Sequence, residues 1–135
     1  LGWVTALDAA RGGRRWQTDT RPRQERDGAL GAALAFADGV LYVTQPDAGT
    51  VSMLRDTDGD FVVDETMVVA SNLKQVHGIA IREGQVYLAG EKQIWLADLN
   101  DDGTFGEPEA IVDGLPDGDQ HARRSIRFGP DGMMY

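Results

Sequence analysis

Two kinds of side chain in this sequence could carry chemistry: a pair of histidines and a run of closely spaced carboxylates. His77 and His121 are the only histidines. Imidazole, with a reference pKa of about 6.5, is the side chain best placed to move a proton near neutral pH. Gln120, Arg123, Arg124 and Arg127 surround His121. Such a positive field suits an anionic cofactor or a negative charge that develops during reaction, although Arg127 reads better as balancing acidic neighbours. His77 is followed by Gly78 and an apolar run, and a hydrogen-bonded loop residue is the plainer reading of it.

The carboxylates lie in Asp56-Thr57-Asp58-Gly59-Asp60-Phe61-Val62-Val63-Asp64-Glu65. Asp56, Asp58, Asp60 and Asp64 occupy positions 1, 3, 5 and 9 of a Ca²⁺-loop pattern, the oxygen-rich spacing that a hard cation requires. The sixth position is Phe61, where the sharp turn of an EF-hand loop calls for glycine, and the twelfth is Met67 rather than a bidentate glutamate. A sister turn, Asp98-Leu99-Asn100-Asp101-Asp102-Gly103, follows in the next repeat. Asp, Asn and Gly are also what tight strand connections select, so a solvated outer turn and a weak Ca²⁺ site both remain open.

The elements that must position these groups repeat. Gly-x-x-Tyr occurs at Gly39/Tyr42, Gly84/Tyr87 and Gly132/Tyr135, spaced 45 and 48 residues apart, a period that marks a repeat architecture. Ahead of each copy stands an alternating strand: Leu34/Phe36, Ile79/Ile81 and Ile126/Phe128. The tyrosine sits on a second strand. A third is Val51–Leu54, answered by Ile94–Leu96, and a fourth is Thr66–Val69, answered by Ala110–Val112. Four antiparallel strands per 42–48 residues is the sequence form of a β-propeller blade. The fold expected is all-β, a propeller fragment of about two and a half four-stranded blades at 29–73, 74–115 and 116–135, a piece of a larger protein. The first strand of a blade lines the central channel, so His77 and His121, each just ahead of such a strand, would look into one funnel.

Bulk properties narrow the class. The 135 residues are 41% hydrophobic and 26% charged, with a net charge of -9 and no cysteine. Disulfides, zinc–thiolate sites and thiol nucleophiles are thereby excluded. Residues 1–28 hold six arginines and four acids; residues 29–135 hold seven basic and 18 acidic groups, a net of -11. The acidic body repels nucleic acid and anionic membrane. The arginine-rich head, with few apolar residues and no period, reads as a disordered leader. No run approaches the roughly 18 apolar residues of a membrane span.

Gly114-Leu115-Pro116-Asp117-Gly118-Asp119-Gln120-His121, Arg123, and Ile126-Arg127-Phe128-Gly129-Pro130-Asp131-Gly132-Met133-Met134-Tyr135 resemble the glucose/sorbosone dehydrogenases, six-bladed propellers that use pyrroloquinoline quinone. The Asp-Thr-Asp-Gly-Asp turn at 56–60 and His77-Gly78-Ile79-Ala80 add to the likeness, which covers residues 29–135. The resemblance implies that His121 is the general base, taking the proton of a sugar's anomeric or aldehyde-hydrate hydroxyl while hydride passes to the quinone. It implies Gln120, Arg123, Gln75 and His77 as cofactor or substrate contacts, Ca²⁺ as a further cofactor, and a periplasmic or secreted location. In that family the main quinone and Ca²⁺ ligands lie further along the chain than Tyr135, so the isolated piece is expected to be inactive. Ala122-Arg123-Arg124 after the histidine departs from the smaller or polar residues of relatives. Two other readings remain: a non-catalytic binding propeller of the NHL type, and a Ca²⁺-dependent lactonase-like hydrolase. The latter calls for acids where this chain has His and Arg.

Overall fold

The computed structural model of the chain describes residues 3–7, 14–19, 33–116 and 123–135. Its strands are β1 (Trp3–Leu7), β2 (Arg14–Asp19), β3 (Leu34–Ala37), β4 (Val40–Gln45), β5 (Thr50–Arg55), β6 (Glu65–Ala70), β7 (Gly78–Arg82), β8 (Gln85–Ala89), β9 (Ile94–Asp98) and β10 (Glu109–Val112). Among the described residues no helix is long and apolar enough to cross a membrane. The sheets run β3-β4-β5-β6 and β7-β8-β9-β10, each an antiparallel meander. These are two blade-type sheets of a β-propeller, all-β as the repeat implies.

The glycine of each complete repeat has a mechanical reason. Ala37 pairs with Val40 and Arg82 with Gln85, which leaves two residues to turn each hairpin. Asp38 and Gly39 have φ of 48° and 81°, and Glu83 and Gly84 have 52° and 75°. Positive φ at both central residues is the type I′ turn, whose twist matches that of the flanking strands. The turn fixes the register, and the register fixes the tyrosine three residues on.

That register sorts side chains by face. Val40, Tyr42 and Thr44 of β4, with Val51 and Met53 of β5, face the second sheet. Val86 and Leu88 of β8, Ile79 of β7, and Trp95 and Ala97 of β9 meet them in one core. Burial of each such Val, Leu or Ile contributes about 1.5–3 kcal/mol. The seam is also bonded. The buried Tyr42 hydroxyl donates to the Gly103 carbonyl at 2.8 Å, and its ring lies 5.0 Å from that of Phe105. Burial pushes the Tyr42 phenol pKa up, with Arg55 opposing. The Arg55 guanidinium donates to the Asp102 carbonyl, so β5 grips the sister turn of the second sheet.

The opposite face of the second sheet receives the third repeat. Tyr87 packs edge-on to Phe128, with ring centroids 4.8 Å apart, Arg82 stands over the Phe128 ring, and Ile126 is buried. The strands expected at Ile126/Phe128 and Met133–Tyr135 are present only as a narrow ladder: a Phe128–Met134 bridge flanked by main-chain bonds between Arg127 and Tyr135. The arginine-rich head, expected to be disordered, contains the antiparallel β1–β2 pair, with Trp3 opposite Asp19 and Val4 opposite Thr18. The aromatic and β-branched residues of Trp3-Val4-Thr5 supply a local strand preference that the surrounding arginines mask in the composition.

The outer face of the first sheet has the pattern of a covered face but no cover. Leu34 and Phe36 stand at the register positions of Ile79 and Ile81. Yet Leu34 is 49% and Phe36 71% exposed, against 2% for Ile79. In urea unfolding of the chain, Leu88→Ala should therefore cost about 2–5 kcal/mol and Leu34→Ala less than about 1 kcal/mol. Equal losses would contradict this assignment of faces.

Candidate functional site

His77 stands at the entrance to β7, and β7 lies beside β3, so the first strands of the two sheets are neighbours. The residue is fixed from several sides. Its N–H donates to the Ala89 carbonyl at 2.8 Å, closing the β7–β8 ladder. Its carbonyl accepts from Thr44 Oγ1 at 2.8 Å. Thr44 is fully buried, and its oxygen also accepts from the Ala33 N–H at 2.8 Å. One hydroxyl thus ties the approach to β3 to the approach to β7. The His77 ring is half-buried, with Nδ1 3.2 Å from the Arg124 carbonyl.

Arg124 links this point to the next repeat. Its Nε donates to the Glu91 carbonyl at 2.6 Å, and a terminal nitrogen donates to the Pro116 carbonyl. The guanidinium therefore clasps the described ends of the connection that carries Gln120 and His121, rather than offering its charge to a ligand. The approach is close because residue 78 is glycine. A Cβ there would stand 2.7 Å from the Arg124 carbonyl and 3.1 Å from Ala89 Cβ.

The expected site residues are distributed as follows. Gln120 and His121 lie outside the described residues. Arg123 is exposed. Gln75 is half-buried with φ of 53°, a left-handed conformation uncommon for glutamine. His77 and Arg124 are brought together, and the ends of the His121-bearing connection meet the β7 entrance. Arg127 donates to the neighbouring Ile126 carbonyl. Thr44 was not singled out in the sequence, since its partners Ala33 and His77 are 11 and 33 residues away.

The acidic turn folds around its own amides. Asp56 accepts from the Gly59 N–H at 2.7 Å and the Phe61 N–H at 2.8 Å. Asp58 accepts from Asp60 N–H at 3.1 Å, and Asp60 from Val62 N–H at 2.7 Å. Carboxylate oxygens of Asp56, Asp58 and Asp64 gather within 4.8 Å of one another, without Asp60. Phe61 takes φ of 69°. The left-handed turn that a Ca²⁺ loop places at its sixth residue is thus formed here by phenylalanine. Asp64 accepts from the Thr57 hydroxyl at 2.7 Å and the Thr57 N–H at 2.6 Å. These bonds, the hydroxyl foremost, hold its pKa below the ordinary 3.8. Elsewhere, a cleft of about 440 Å³ between β6 and the segment at 105–108 is lined by Val68, Ser71, Asn72, Trp95 and Glu107. It contains none of the histidines.

With this geometry, comparison with known proteins places the chain. The DUF7133 family, a domain of unknown function, matches residues 9–135. The chain belongs to DUF7133. A solved Trichoderma reesei protein of carbohydrate-active enzyme family AA12, an iodide structure, aligns with this DUF7133 chain at a TM-score of 0.61 and 20% identity. The alignment covers 96% of this chain and 30% of that one, so the chain spans under a third of the neighbour's length. At this identity the likeness establishes a shared fold. The curated proteins contain no significant match.

Two outcomes are expected. Gly78→Ala should destabilise by about 1–3 kcal/mol, because the new methyl must displace the Arg124 backbone; an unchanged urea midpoint would contradict the close approach. Asp64 should titrate below 3.8 by carboxyl NMR, and Thr57→Val should move it back upward. Because the folded pKa is depressed, the associated stability is present above the unfolded value and fades as pH falls through the folded one.

Proposed function

We propose that this DUF7133 chain is the part of a longer β-propeller that carries the base of a quinone-dependent oxidoreductase, acting on an aldose or sugar aldehyde. One observation carries the reading: the connection bearing Gln120-His121 is clasped at both described ends against the β7 entrance, where His77 and Gln75 stand. The two histidine-bearing approaches thus belong to one site. The resemblance of Gln120-His121 and Phe128-Gly129-Pro130-Asp131-Gly132 to glucose/sorbosone dehydrogenases, and the carbohydrate-active description of the fold neighbour, support the substrate class.

In this reading His121 is the proton acceptor. Oxidation of an aldose at its anomeric carbon releases one proton and one hydride, and a positioned imidazole takes the proton from the hydroxyl. Pyrroloquinoline quinone, when bound, supplies the two-electron acceptor. The donors here fit it in kind and only in part. Arg123 offers one exposed cation and Gln75 an amide, whereas the quinone carries three carboxylates and Arg124 is spent on main-chain carbonyls. The remaining donors would come from other parts of the propeller, so these residues bind and orient one edge. Ca²⁺ would sit on Asp56, Asp58 and Asp64, whose clustered oxygens suit a hard cation.

The natural polypeptide, supplied with quinone and Ca²⁺, should reduce a dye with an aldose as donor. His121→Ala should lower kcat by about 10²–10⁴-fold, and unchanged turnover would remove His121 from the role of base. Separately, Ca²⁺ should raise the melting temperature of the wild type and not of Asp56→Asn. An equal rise in both would place the cation elsewhere.

A further inference from the structure

The His77 ring has one nitrogen with a defined task and one without. A carbonyl oxygen only accepts, so the 3.2 Å contact to the Arg124 carbonyl requires the proton on Nδ1. In the neutral imidazole the lone pair then belongs to Nε2. Among the described residues no contact reaches Nε2, and no buried side-chain nitrogen or oxygen lacks a partner. Nε2 is therefore open to solvent. The ring is rigidly presented: the main chain of His77 is bonded to Ala89 and Thr44, and Gly78 admits the Arg124 carbonyl. A backbone carbonyl on Nδ1 that frees Nε2 is the arrangement by which proteins aim a histidine lone pair.

We propose that His77 Nε2 accepts a hydrogen bond from a hydroxyl of the small molecule bound at the β7 entrance. The chemistry selects this class. A lone pair repels carboxylate and phosphate oxygens, which removes an anion as its direct partner. His77 is not part of any described cluster of metal-binding side chains; the one such cluster is the acidic turn. A neutral O–H donor remains, and Gln75, two residues earlier, adds an amide able to donate and accept. The choice of a sugar as the hydroxyl donor rests on the function proposed above. His77 is then a binding residue that orients the substrate, distinct from the base assigned to His121.

The test uses the natural polypeptide labelled with ¹⁵N-histidine, the His77 signals being assigned by their loss in His77→Asn. Long-range ¹H–¹⁵N spectra should show the proton on Nδ1. Added D-glucose should shift Nε2 saturably in the direction of hydrogen-bond acceptance and leave Nδ1 in place. His77→Asn, whose amide nitrogen replaces the Nδ1 donor, should keep the wild-type melting temperature but bind D-glucose about three- to tenfold more weakly. His77→Gln, whose amide oxygen reaches the place of Nε2, should recover part of that loss. A proton found on Nε2 overturns the proposal, as does an Nε2 signal unmoved by D-glucose, or wild-type binding by His77→Asn. If Nε2 responds to glucose while no dye is reduced in the presence of quinone, the oxidoreductase reading fails and the binding role stands. Dye reduction with an unresponsive Nε2 has the opposite meaning.

Discussion

A four-stranded sheet with apolar side chains on both faces must be covered on both, and every other feature of this chain follows from that demand. In the second sheet it is met: Val86, Leu88 and Ile79 pack on the first sheet, and Tyr87 packs on Phe128 of the third repeat. In the first sheet only the tyrosine-bearing face is covered. Val43 and Leu54 shield each other on the other side, while Leu34 and Phe36 face outward. The order of stacking is thus directional, each tyrosine face meeting the next repeat.

This direction places the candidate site. Because the tyrosine face of each sheet looks toward the following repeat, the approach to each inner strand meets the backbone of its neighbour. Thr44 reaches His77 across the first seam, and His77 meets Arg124 across the second. The two contacts form a relay of side chain to main chain along the inner ends of the strands. Gly78 permits the second of them. The acidic turn belongs to the outer margin of the blades and is satisfied by its own amides, so it stabilises a connection, whereas the histidines occupy the inner one.

The strands were legible in the sequence because two local signals agree. Alternation marks Leu34/Phe36 and Ile79/Ile81, and Asp38-Gly39 and Glu83-Gly84 can only be hairpin turns of positive φ. The site was legible in position but not in detail. His77 and His121 could be assigned to equivalent approaches, yet the role of Arg124 depends on the Glu91 carbonyl 33 residues away, and no local pattern encodes a main-chain partner. Charge alone assigned Arg124 to an anion, whereas the fold uses it as a clasp. Phe61 shows the converse limit. Propensity demands glycine at its position, but the Asp56 carboxylate bonded to its N–H supports a left-handed phenylalanine. In the arginine-rich head, composition concealed the short strand preference of Trp3-Val4-Thr5.

The account's central claim is that the β7 entrance and the connection after Pro116 form one ligand site. A crystal structure of the natural polypeptide with quinone and an aldose tests it most directly. The account predicts the sugar between His77 and His121, with a hydroxyl on His77 Nε2, the Arg124 carbonyl on Nδ1, and Leu34 and Phe36 buried beneath another sheet. A sugar bound away from both histidines, or an Arg124 turned to the ligand instead of to Glu91 and Pro116, would contradict it.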